Sequence, residues 1–108
     1  MIITTTQMLD GYQTTEYLGI VRGLIVRSPN IVQGFLGGLK NIVGGRIGSF
    51  TQMCEQTRSE AFELMCEHAK QLGADAVIGV SYDTSELGIN STSEVLCYGT
   101  AVKLISVR

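Results

Sequence analysis

The chain has 108 residues and carries 8 Lys and Arg against 10 Asp and Glu, a net charge of −2, so it is one domain by length. Its basic residues are scattered and its aromatics are only four Tyr and three Phe, which leaves out the basic stripe and stacking platform of a nucleic-acid-binding domain. A hydrophobic fraction of 44% and a mean hydropathy of +0.22 are high for so surface-rich a chain and point to a homo-oligomer.

Residues 2 to 5 read as a short strand, with a turn after it at Asp10-Gly11. No apolar run reaches the ~18–20 residues of a membrane span, and Met1 to Thr6 lacks the basic and apolar regions of a signal peptide. Three cysteines, an odd number, argue for a reducing compartment over a disulfide framework. The expectation is a cytoplasmic protein with neither membrane nor nucleic-acid partners.

Tyr17 to Arg27 is β-compatible, and period-two parity puts Leu18, Ile20, Leu24 and Val26 on one face. Gly19 and Gly23 fall on the other with Val21 and Ile25, leaving room for an overlying helix or a second backbone. Ser28-Pro29 resembles a helix start, and Val32, Phe35, Leu36, Leu39, Ile42 and Val43 continue at helical spacing. Gly34, Gly37 and Gly38 oppose that helix by up to ~1 kcal/mol each.

Gly44-Gly45-Arg46-Ile47-Gly48 breaks the chain. The main helix is then expected from Ser49, capped by Ser49 and Gln52 in a capping box. Phe50, Met53, Thr57, Ala61, Met65, Ala69 and Leu72 trace its buried stripe, Glu60, Glu63 and Glu67 its solvated side, and Gly73 its end. Ala76 to Tyr82 is a third strand, Thr84 to Ser93 a polar connection, and Glu94 to Val107 a fourth strand apolar on both faces. One of those faces suits helices, the other a neighbouring subunit. The order ββααββ gives an α+β class, with a mostly antiparallel sheet packed on two helices in a single domain over residues 1–108.

The chemistry is sparse. Cys54, Cys66 and His68 all lie on the main helix, where Cys54 and Cys66 stand about 120° and ~18 Å apart and Cys66 and His68 point to nearly opposite sides. No two of them can share one tetrahedral ion, and Cys97 can approach either cysteine only through tertiary or quaternary contact. The cysteines therefore read as small core or interface residues, with no metal ligand assigned, and His68 as a surface or capping residue. Neither a P-loop nor a dinucleotide fingerprint occurs. The loop of Gly44, Gly45 and Arg46 ahead of a helix N-terminus is the best anion candidate, against a tight turn with Arg46 in a salt bridge. Asp75, Asp83, Glu86 and Glu94 read as solvated loop ends, and no nucleophile elbow surrounds the serines.

Several blocks together resemble the YbjQ family of small bacterial proteins, which carries a heavy-metal-binding label. They are Glu16-Tyr17, Asn30-Ile31-Val32, Ile42-Val43-Gly44-Gly45-Arg46, Gly73-Ala74-Asp75-Ala76-Val77-Ile78-Gly79-Val80 and Gly99-Thr100-Ala101-Val102. The resemblance implies an α+β fold in a symmetric ring, a pentamer, and supplies neither an activity nor a cofactor. Three functions stand as expectations, the first two being an oligomer binding a small ligand or metal ion at subunit interfaces, or an enzyme with an intersubunit site around Asn30, Gly44, Gly45 and Arg46. A structural or interaction scaffold is the third.

Overall fold

In the computed structural model, residues 1–27, 46–86 and 92–107 are described. They form β1 (Ile2–Ile3), β2 (Tyr12–Arg27), α1 (Arg46–Gln71), β3 (Ala76–Glu86) and β4 (Ser93–Ser106). The strands make one four-stranded sheet in the order β1-β3-β4-β2. β4 pairs antiparallel with β2 and β3, and β1 pairs parallel with β3. The fold is α+β with a mixed, mostly antiparallel sheet. The helix expected from Ser28 to Val43 lies outside the described residues, so a single helix is seen among them.

That helix begins at Arg46 rather than after a Ser49 cap, so Ser49 lies within its N-terminal portion. Lone Gly48 costs only ~1 kcal/mol, while every residue joining the helix adds one backbone hydrogen bond. The C-terminal end matches expectation. Gly73 has φ 76°, its N–H bonds Lys70 O, and Ala74 N–H reaches back to Ala69 O. These are the two bonds of a Schellman cap. Leu72, expected on the buried stripe, is exposed, because the cap turns the chain off the sheet there. Thr57, Ala61, Met65 and Ala69 form the buried stripe as expected.

Two glycine bulges decide which side chains meet the helix. The β2–β4 register slips between Tyr17 and Gly19, where Gly19 takes φ 111°. The inserted residue shifts the phase of the strand, so Leu18 joins Val21 in the helix-side core. Parity alone had grouped it with Ile20. In β3 the slip falls between Ile78 and Ser81, around Gly79 at φ 61°. Val77 and Val80 consequently both face the core.

The second core cluster lies on the other side of the sheet. Ala76, Ile78 and Val102 pack there with Ile2, Leu9 and Leu104. The N-terminal segment is stitched to β3 by Thr4 N–H to Val77 O at 3.0 Å and Gly79 N–H to Thr6 O at 2.8 Å. Asp75, exposed just before β3 as expected, also accepts a hydrogen bond from Leu104 N–H at 2.9 Å. It fastens the end of β3 to β4.

The helix sits closest at Gly23. A Cβ there would overlap the Ala61 carbonyl oxygen and come within 2.7 Å of Leu64 Cβ and Met65 N. The gap expected from the strand glycines is real at Gly23, whereas Gly19 has open space. Gly23→Ala is expected to cost about 2–3 kcal/mol by forcing backbone to move. Urea unfolding measures it, and an unchanged midpoint would show that α1 is not seated there.

Candidate functional site

The side chains of the expected loop site lie outside the described residues. Asn30, Gly44 and Gly45 lie outside the described residues, and Arg46 contributes its backbone to the start of α1. The described residues instead gather their reactive side chains between the C-terminal half of α1 and the middle of the sheet.

Cys97 is fully buried on β4, and Met65 is fully buried on α1 above it. The Cys97 thiol donates to Met65 Sδ at 3.6 Å. Cys66, the next residue along the helix, is half-buried and packs against the same cluster. Tyr82 lies directly across from Cys97 in the β3–β4 register, and the Arg58 guanidinium sits 5.2 Å from its ring centroid, within cation–π range. Beside them an open groove of about 430 Å³ is lined by Glu55, Arg58, Ser59, Phe62 and Tyr82.

The electrostatics follow from burial. Burial pushes the Cys97 thiol up, a hydrogen bond from Tyr82 pulls it partly back, and the charge of nearby Cys66 raises it again. Burial likewise raises Cys66, with Lys70 opposing and Glu63 reinforcing. Tyr82 is raised by burial, then by Cys97, against the pull of Arg58. Both thiols are therefore held in their protonated, unreactive form at neutral pH.

His68 has a structural task. Its Nδ1 accepts a hydrogen bond from Arg22 N–H at 3.2 Å, so that nitrogen carries no proton. The imidazole caps an amide of β2, an edge strand of the sheet, and edge amides left open invite pairing with other chains. Farther along, Arg27 pairs with Glu60 and its Nε donates to Thr57 Oγ1 at 3.4 Å. Glu60, expected on the solvated side, thus clips α1 to the end of β2.

The comparisons with known proteins agree with this fold. A family model described as "Putative heavy-metal-binding" matches residues 1–105. The chain belongs to the YbjQ family. A UPF0145 protein of Legionella pneumophila (strain Corby) is 59% identical over 102 residues, covering 94% of this chain and 96% of that protein. One from Chromobacterium violaceum is 52% identical over 103 residues, 95% and 87% of the two chains. A crystal structure of a DUF74-family protein of unknown function from Pediococcus pentosaceus superposes with a TM-score of 0.63. It covers 97% of this chain and 98% of that one at 21% identity, a likeness of fold.

The residues present can be tested against the family's metal label. Among the described residues no three His, Cys, Asp or Glu side chains gather as a metal cage, so a hard or borderline ion finds no ligand set there. The sulfur group of Cys97, Met65 and Cys66 has the other character: thiol and thioether donors suit soft ions. Sequence reasoning missed it because the helical spacing of Cys54, Cys66 and His68 was informative only about one element. The signal lay in the inward parity of Tyr82 and Cys97, which needs the strand register.

Thiol labelling tests the burial order. Exposed Cys54 should react with a disulfide reagent first, Cys66 more slowly, and Cys97 only on unfolding. Because the Cys66 thiol is raised above its ordinary 9.0, its labelling rate should still be climbing with pH beyond that value. Rapid labelling of Cys97 in the folded protein would contradict the packing.

Proposed function

We propose that the protein is a non-catalytic homo-oligomer that binds a heavy-metal ion, with the subunits joined through the open face of the sheet. The observation that carries the assembly is the apolar surface opposite α1. Tyr17 and Ile20 are 70% and 73% exposed, and Leu24, Val26 and Tyr98 are exposed beside them. The register places these five on one face: Tyr17 pairs with Val102, Ile20 with Thr100, Leu24 with Leu96, and Arg22 with Tyr98. A second copy of this chain is the occupant that the high apolar content favours. The five-membered ring implied by the family resemblance is part of this proposal.

The metal half of the reading rests on the family description and the sulfur donors. No nucleophile paired with a base supports catalysis among the described residues. The start of α1 keeps a secondary place as a small-ligand candidate, with Asn30, Gly44, Gly45 and Arg46. No acidic residue occupies the helix's first turn, where a negative group is favoured by the helix dipole.

Native mass spectrometry of untagged protein, paired with elemental analysis, tests both halves. The expected result is a ring with retained metal, reduced to monomer by Ile20→Asp with circular dichroism unchanged. A monomeric wild type would overturn the assembly, and a protein taking up no metal would overturn the binding.

A further inference from the structure

We infer that Cys97, Met65 and Cys66 form a three-sulfur site for a soft d10 ion of the Cu(I) class, lying within one subunit between α1 and β4. This rests on the metal-binding reading above and gives it a location and a ligand chemistry.

The geometry supplies the first argument. Cys97 Sγ and Met65 Sδ stand 3.6 Å apart. Two sulfur ligands at bond lengths of about 2.3 Å reach that separation at an angle of about 100°. The pair is thus already spaced as two ligands of one ion. Cys66 follows Met65 on the helix and packs against the same cluster, near enough for its charge to act on the Cys97 thiol, and is assigned as the third sulfur from the flank. Methionine's three rotatable bonds allow the remaining adjustment.

The donor set supplies the second. Two thiols and a thioether, with no carboxylate or imidazole gathered with them among the described residues, favour Cu(I) over Zn²⁺, Mg²⁺ or Ca²⁺. On binding, Cu(I) replaces the protons of both thiols, which leave to solvent, while Met65 adds a neutral lone pair. Copper stays in the +1 state, and the site gains one net negative charge. Burial opposes ionisation of Cys66 and Lys70 offsets it only in part, so the bond to the metal must supply the drive for proton loss.

Access supplies the third. Met65 and Cys97 are sealed, but Cys66 is half-buried, and Tyr82 and Phe62 line the open groove. Cys66 is the partly exposed member of the three, and so the one an ion meets first. Cys54 is exposed and lies three helical turns from Cys66, which makes it an internal control.

The test is an anaerobic titration of the purified full chain with Cu(I) against a competing chromophoric chelator, following thiolate-to-copper absorption in the ultraviolet. One equivalent should bind tightly to the wild type and to Cys54→Ser. Cys66→Ser should lose about a hundredfold in affinity, and Met65→Leu, which conserves core volume, about tenfold. Circular dichroism confirms that each variant is folded, and Cys66→Ser keeps the test valid if Cys97→Ala does not fold. Undiminished binding in Cys66→Ser and Met65→Leu would overturn this site while leaving metal binding elsewhere intact. A wild type that takes up no Cu(I) but retains another metal overturns the ligand class, and one that holds no metal at all overturns the parent reading too.

Discussion

The contact of α1 with the bare backbone of Gly23 is the constraint on which the rest of this structure depends. With no side chain at that position, the Ala61 turn of the helix lies against the strand itself. Met65 sits one helical turn beyond Ala61, so the height set at Gly23 is also the height of the thioether over Cys97. A methyl group at Gly23 would lift the helix where interiors have little slack. Arg27 with Glu60 and Thr57 at one end, and His68 with Arg22 nearer the other, hold the helix in register along β2.

The bulges at Gly19 and Gly79 act on the second dimension of the same problem. Each inserts one residue into its strand, and each thereby turns an outward residue inward. Leu18 and Val80 join the core under α1 as a result. Gly99 completes the arrangement: a Cβ there would approach Val77 Cγ1 to 2.7 Å, so the inner valines close over it. Beyond the β3 bulge the parity runs on to Tyr82, which is how the phenol comes to stand beside Cys97. Among the described residues, Ile2 and Leu9 cover Ala76, Ile78 and Val102 on the sheet's other face. Toward Ile20 and Leu24 it stays open, and burying such side chains is worth ~1.5–3 kcal/mol each.

What could be read from the sequence was whatever one element decides by itself. The α1 stripe of Thr57, Ala61, Met65 and Ala69 follows from a period of 3.6, and Gly73 follows from the left-handed conformation that a Schellman cap requires. Gly23 was legible as a gap because parity put it on the helix side. Leu18 was not, since a bulge leaves no mark in a period-two pattern beyond a glycine that serves equally well elsewhere. The helix start was misplaced because Ser49 and Gln52 satisfy a capping box locally, while nothing local forbids Arg46 and Ile47 from being helical. Asp75 could be placed at the strand end, but its partner, the Leu104 amide, is 29 residues away. The sulfur group was illegible for the same reason. Met65 and Cys97 meet across two separate elements, which no pattern within either one records.

The contact of Met65 with Cys97 across α1 and β4 thus depends on the backbone contact at Gly23, and the three-sulfur site proposed on it inherits that dependence. Copper-edge X-ray absorption on the Cu(I)-loaded wild-type protein tests that link most directly. An all-sulfur shell of three ligands at about 2.3 Å is the predicted result. A shell of nitrogen or oxygen ligands would contradict it.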